Sequence, residues 1–248
     1  MRLVLADPSY LKDSISVISD LVNEARFKVT TNAFELVAMD PANVAMVIFK
    51  LFSSCFAEYN IEKEIEIAIN LSNFKQILRR VKANDMLSLE VTNNNKLQIQ
   101  LKSNTTRTFS LPIIDLEERE QKIPQLEFPV SIVMESGRLS EAIEDADIVA
   151  ESVQFGVADN IFSVHAEGDL SHATIELQAD ENTIIQNDTG EHIKSKYSLE
   201  YLKKMINGAK LAPMTTVYFN KDYPLKLEYK VVDRLLLSFI LAPRVEND

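Results

Sequence analysis

The chain overlays on itself when shifted by 128 positions. Leu11, Ile15, Ile18 and Leu21 fall on Leu139, Ile143, Ala146 and Val149, and Phe27 and Val29 on Phe155 and Val157. Phe34, Leu36 and Ala38 meet Phe162, Val164 and Ala166. Phe74, Ile77, Leu78 and Val81 meet Leu202, Met205, Ile206 and Ala209, and Leu97, Ile99 and Leu101 meet Leu225, Leu227 and Tyr229. Generic periodicity can mimic one such segment but not several in one register. A length of 248 residues admits one large domain or two small ones, and the repeat decides for two copies of one domain.

Each copy carries the same order of elements. In the first, apolar residues from Leu11 to Leu21 form one stripe of a helix, with Asp7 as N-cap and Pro8 in the first turn. Ala25–Thr31, Phe34–Met39, Val44–Phe52 and Glu64–Asn70 read as strands, with turns at Thr31–Ala33 and Asp40–Asn43. Ser72 is the expected cap of a second helix that turns Phe74, Ile77, Leu78 and Val81 to one side. Met86–Val91, Lys96–Lys102 and Thr105–Ile113 complete the set, with a hairpin turn at Asn93–Asn95. Each half thus holds two strand-helix-strand-strand-strand units. Helices with one apolar face must lie on a sheet, so the fold class is α+β, antiparallel sheet with two helices on one side per domain. The expected division is 1–114 for the first domain, 115–128 for a charged connecting segment broken by Pro124, and 129–248 for the second domain.

Composition removes several function classes. No apolar run approaches the roughly 20 residues of a membrane helix, and Met1–Leu5 reaches Asp7-Pro8 too soon for a secretion signal. A single cysteine, Cys55, allows no intrachain disulfide, so a cytosolic or nuclear chain is expected. There is no phosphate loop, no Gly-x-Gly-x-x-Gly and no nucleophile elbow. His165, His172 and His192 lack the close His and Cys neighbours of a zinc site. The acidic run Glu141, Glu144, Asp145 and Asp147 reads as the solvated face of a helix. No catalytic pair, metal or cofactor is expected, and the chain is read as a non-enzyme.

The net charge of −11 opposes contact with nucleic acid unless basic surface is concentrated locally. The second helix of each half supplies it. Between Ser72 and Ala83 the charged residues are Lys75, Arg79, Arg80 and Lys82, with no acid; the matching stretch holds Lys203, Lys204 and Lys210, with Glu200 at its start. No aromatic residue interleaves, which favours the backbone of a duplex over stacking on single strands.

These residues resemble the proliferating cell nuclear antigen family, the sliding clamps of archaea and eukaryotes, over the full length. The resemblance rests on Leu3-Val-Leu-Ala-Asp7 with Leu11-Lys12, on Leu36-Val-Ala-Met-Asp-Pro-Ala-Asn-Val-Ala-Met-Val47, on Ile123-Pro124 and on Leu241-Ala-Pro-Arg244. The wording is closer to archaeal members. It implies a trimeric ring of six similar domains, helices lining the hole and sheets outside, around double-stranded DNA held without sequence preference. It implies DNA-facing roles for Lys12, Lys75, Arg79, Arg80 and Lys82, and for Lys203, Lys204 and Lys210. Glu141 and Glu144 depart from the family's basic lining.

The resemblance further implies a groove for short client peptides, formed by Met39, Val44, Met46, Ile123, Pro124 and Phe128 together with Pro224, Ile240, Leu241, Ala242 and Pro243. Clients of this kind are DNA polymerase, clamp loader, flap nuclease and DNA ligase. Other clamp subunits are expected to pair along edge strands near Thr106–Leu111 and Ser171–Gln178, with no membrane partner. Localisation follows as cytoplasmic at the nucleoid for an archaeal chain, nuclear for a eukaryotic one. Competing readings are a subunit of a heterotrimeric clamp, a checkpoint-type clamp, a sequence-reading DNA-binding protein and a duplicated metabolic enzyme.

Overall fold

The computed structural model describes residues 1–116 and 121–244. Two compact units emerge. One comprises Met1–Pro41, Val47–Ile123 and Val231–Leu237; the other comprises Ala42–Met46, Pro124–Lys230 and the chain from Ser238. Both β4 and β18, defined below, are divided between the units.

The first half runs β1 (Arg2–Leu5), α1 (Ser9–Ile18), β2 (Glu24–Val29), β3 (Ala33–Met39), β4 (Ala45–Phe52), β5 (Glu58–Asn60), β6 (Ile65–Asn70), α2 (Leu71–Leu78), β7 (Met86–Thr92), β8 (Lys96–Lys102) and β9 (Thr106–Pro112). The second half runs β10 (Val130–Glu135), α3 (Ser136–Asp147), β11 (Ser152–Ala158), β12 (Ile161–Glu167), β13 (His172–Gln178), β14 (Ile184–Asn187), β15 (Ile193–Ser198), α4 (Leu199–Met205), β16 (Met214–Phe219), β17 (Leu225–Val231) and β18 (Leu235–Leu241). Short 3-10 turns follow β4 at Ser53–Cys55 and α4 at Ile206–Lys210.

In the first unit one antiparallel sheet has the order β5-β1-β7-β8-β9, and β4-β3-β2-β6 form a second face. In the second unit the orders are β13-β12-β11-β15 and β14-β10-β16-β17-β18. The repeat holds at the level of register. Phe27 faces Leu36 as Phe155 faces Val164, and Ala25 faces Ile69 as Val153 faces Tyr197. It slips by one residue at the first strand, where Leu3 faces Leu89 but Ile132 faces Val217. Residues 6–8 connect β1 to α1, whereas α3 starts directly after β10.

The cores follow from the alternation. Inward residues of β2 and β3 bury Phe27 and Phe34, which stack at 4.5 Å with 12° between planes, and Phe74 of α2 meets Phe27 edge-on at 6.4 Å. In the second unit Phe155 and Phe162 repeat the pair at 5.2 Å, and Tyr197 and Phe219 close around Phe155. Each fully buried aromatic or aliphatic side chain contributes roughly 1.5–3 kcal/mol of transfer free energy. α1 contacts α2, and α3 contacts α4, so the two helices of each half pack side by side.

Several local expectations are corrected. Pro8 sits at the N-cap of α1, and the Asp7 carboxylate accepts the Ser9 N–H at 3.0 Å. That bond holds the Asp7 carboxyl below its usual range. Asn70, not Ser72, caps α2, through Asn73 N–H at 3.0 Å. α2 ends at Leu78, so Arg79 is its C-cap and Arg80 and Lys82 lie in the turn beyond. Strands β5 and β14 are additions to the expected set. Cys55 is half-buried; its thiol contacts the Arg234 carbonyl at 3.2 Å, and burial raises its pKa.

Candidate functional site

Among the basic residues singled out in the sequence, Arg79, Arg80 and Lys82 gather at the turn from α2 into β7. Its shape is set by Asp85, whose side chain is fully buried. The Lys82 N–H donates to Asp85 Oδ2 at 2.6 Å, and Arg107 of β9 donates from Nη2 to the same oxygen. Arg107 Nη1 also donates to the Arg80 carbonyl at 2.8 Å. One carboxylate and one guanidinium therefore fix the backbone that carries Arg79, Arg80 and Lys82. These three side chains are exposed, and no described carboxylate lies within ion-pair distance of them. The Lys82 N–H is the largest cause, and Arg107 a further one, that holds the Asp85 carboxyl down to about 2.

The other basic candidates divide. Lys75 is tied inside the first unit, to Asp20 at 2.7 Å and to the Ser16 carbonyl at 3.0 Å. Lys203 pairs with Asp147 at 2.6 Å, and Lys204 pairs with Glu200 at 3.0 Å while covering the Tyr201 ring. Lys12 on α1 is half-buried and Lys210 is exposed, and neither has a described ion-pair partner. On α3, Glu141, Glu144 and Asp145 are exposed. The helix side of the second half is thus mixed in sign, whereas the α2–β7 turn carries three exposed cations.

The apolar candidates also divide. In the second unit, Val44, Phe128, Pro224, Ala242 and Pro243 are half-buried and Pro124 is exposed. The Ala242 N–H donates to the Val44 carbonyl at 3.0 Å, which places those two segments side by side. Phe128 packs on Tyr218 at 5.8 Å and on Tyr223 at 5.9 Å. Met46 and Ile240 are almost covered. Leu241 is wholly buried, so it backs this surface as a core residue and does not line it. Met39 and Ile123 belong to the first unit; Met39 is half-buried, while Ile123 is 47% exposed, unusual for a residue of that size.

Sequence reasoning missed Asp85, Arg107, Tyr218 and Tyr223. Asp85 and Arg107 are 22 residues apart and read singly as surface charges; only the β8–β9 pairing brings them together.

Family comparison narrows the readings to one family. The description "Proliferating cell nuclear antigen, N-terminal domain" matches residues 1–121, and "Proliferating cell nuclear antigen, C-terminal domain" matches residues 122–244. The chain belongs to the proliferating cell nuclear antigen (PCNA) family. A relative from Thermococcus fumicolans, named DNA polymerase sliding clamp, is 37% identical over 95% of this chain and 94% of its own. PCNA from Thermococcus kodakaraensis superposes with a TM-score of 0.91 at 29% identity, covering 98% of this chain and 99% of that one. A chain of the PCNA2–PCNA3 complex from Sulfolobus tokodaii superposes at 0.88 with 26% identity, over 99% of this chain and 100% of that one. The duplication is therefore the PCNA duplication, and the fold is the PCNA fold. No helix among the described residues is long and apolar enough to cross a membrane.

Proposed function

We propose that this chain is a DNA polymerase sliding clamp: a non-enzymatic subunit of a trimeric ring that encircles duplex DNA and tethers replication enzymes to it. The observation that carries this is the match of both halves to the two PCNA domains, N-terminal in residues 1–121 and C-terminal in 122–244. The proposed clamp domains are 1–114 and 129–248, with 115–128 joining them. The basic turn of Arg79, Arg80 and Lys82 serves the phosphate backbone, with Lys12 and Lys210 beside it in role. Lys75, Lys203 and Lys204 contribute less, because their charges are already compensated. Holding DNA by topology needs no tight contact, which fits a chain of net charge −11.

Ring closure is assigned to β9 and β13. Each is the outermost strand of its sheet. The Ile113 N–H bonds to Asn95, and Gly168 N–H to Ser171. Alternation along the ladder then leaves the backbone groups of Thr106, Thr108 and Ser110, and of His172, Thr174 and Glu176, facing away from the neighbouring strand. Such edges favour pairing with another chain, and a head-to-tail contact closes a ring. Polymerase, loader, flap nuclease and ligase are the proposed clients, held by a short apolar peptide on the surface of Val44, Phe128, Pro224, Ala242 and Pro243. Met39 and Ile123 are proposed contributors by family resemblance.

Light scattering across dilution tests the ring. Three copies of 28.1 kDa give 84.3 kDa, the mass expected; a monomer at all concentrations contradicts a self-sufficient trimer. A second reading, a subunit of a heteromeric ring, is favoured by one observation, the exposed Glu141, Glu144 and Asp145 on α3. It predicts that mass only after a sister subunit is added.

A further inference from the structure

The duplication gives each unit an equivalent sheet face, on the side away from the helices, and the two faces differ in charge. In the first unit this face forms a cleft of about 510 Å³ across β2, β3 and β6. Its cations are neutralised within the unit. Arg26 pairs with Glu66 at 2.9 Å, Lys28 with Glu64 at 3.2 Å and Lys50 with Glu35 at 3.1 Å. Arg26 also donates to the Leu116 carbonyl at 2.6 Å, so the chain leaving β9 crosses the face.

In the second unit the equivalent cleft, about 470 Å³, lies across β11, β12 and β15. Arg26, Glu66, Ala68 and Leu116 correspond, 128 positions on, to Gln154, Lys194, Lys196 and Arg244. The anion of the first copy has become a cation, and the crossing segment now brings an arginine. Gln154 faces Lys196 across the ladder and His165 on its other side. The Arg244 N–H donates to the Lys196 carbonyl at 2.7 Å, which seats the C-terminal segment at the cleft. Lys221 enters from the β16–β17 turn, and the Tyr197 hydroxyl pins that turn through the Tyr223 carbonyl at 2.8 Å. Lys194, Lys221 and Arg244 line this cleft together with Lys196, and the carboxylates in its described lining are Glu167 and Asp222. No described carboxylate lies within ion-pair distance of Lys194, Lys221 or Arg244.

The cleft adjoins the apolar surface assigned to clients. Arg244 directly follows Pro243, and Lys221 and Asp222 lead into Pro224. We infer that this cleft holds an acidic segment flanking the apolar client peptide, so that the protein selects clients by carboxylates next to their hydrophobic anchor. The inference rests on the client-surface reading above. Spaced carboxylates suit the cleft better than a continuous phosphate backbone, because Glu167 and Asp222 interrupt its cations.

The test uses the whole protein and three synthetic peptides with one hydrophobic-aromatic core, read by fluorescence anisotropy. One is plain, one carries three glutamates before the core, one carries them after it. The expected result is that one of the two extended peptides binds about fivefold tighter than the plain one, the scale of several rim ion pairs. That gain should vanish in Lys194→Glu/Lys221→Glu and in high salt, while affinity for the plain peptide stays put. Both lysines are exposed, so the variant should fold, which circular dichroism checks. Equal binding of all three peptides, or a gain that survives the variant, overturns the inference and leaves the client surface standing. Failure of the plain peptide to bind removes the client surface itself and the inference with it. Displacement of the extended peptide from the cleft by a short oligothymidylate at lower concentration than by free Glu-rich peptide also overturns it, in favour of nucleic acid.

Discussion

Asp85 combines three tasks in one side chain: it is buried, it stops the turn after α2, and it positions a basic loop through Lys82 and Arg107. Its folded pKa of about 2 lies below the unfolded value of about 3.9. The stability it contributes is therefore fully present above about pH 4 and is lost as pH falls through about 2. Asp85→Asn should lower the unfolding temperature at neutral pH, and the gap to the parent protein should narrow between about pH 4 and 2, read by circular dichroism. A gap that is constant with pH contradicts the assignment. Gly208 makes a second residue-scale prediction. A Cβ there would stand 2.4 Å from the ring of Tyr229, which is fully buried. Gly208→Ala should cost about 1–3 kcal/mol by overpacking, measurable by chemical denaturation. The position is legible in the sequence only as a glycine in a helical stretch, since its partner comes from β17.

Among the elements, those with strong alternation or a clear apolar stripe were legible from residues alone. β3, β7 and β8 fall within a residue of expectation, because inward residues such as Phe34, Leu36 and Ala38 leave one register open, whereas the stripe of α1 continues to Leu21 but its helix ends at Ile18. β5 and β14 were not legible. They have three and four residues, and their pairing with β1 and β10 depends on strands already in place. The end of α2 was also misjudged. Its apolar stripe continues to Val81, but the Asp85 bond to Lys82 N–H stabilises a turn there instead. For the site, the basic turn was legible as composition, while the compensation of Lys75, Lys203 and Lys204 was not, since Asp20 and Asp147 reach them only by helix packing. Edge strands carry their own prediction. Thr108→Pro or Thr174→Pro removes an outward N–H without breaking a backbone bond within the sheet, so each should lower the solution mass to that of a monomer while unfolding remains cooperative. An unchanged trimer moves the subunit contact elsewhere. Of the residues proposed for client binding, Ile123→Glu or Pro243→Glu should each abolish binding of an apolar client peptide in calorimetry with the oligomer intact. Unchanged affinity removes those residues from the surface.

At the scale of the whole molecule, the duplication explains how an acidic chain can serve DNA. Each copy of the domain packs its two helices side by side against its sheets, so charge can differ between the helix and sheet faces of a copy without altering its core. The sequence alone contained the repeat and the family resemblance, and membership of the PCNA family agrees with both. What a single sequence withholds is the division of labour between equivalent surfaces: the repeat sets Glu66 against Lys194, but the pairing of Arg26 with Glu66 and the cleft that Lys194 lines come only with the fold. Encirclement is what separates a clamp from a protein that grips DNA by contact alone. The direct measurement loads the protein onto closed circular duplex with a clamp loader, isolates the complex by gel filtration in moderate salt, and then cuts the circle once. The account predicts that protein co-elutes with the closed circle and is released after the cut. Protein that stays on the linear product as firmly as on the circle, or that is retained by neither, contradicts it.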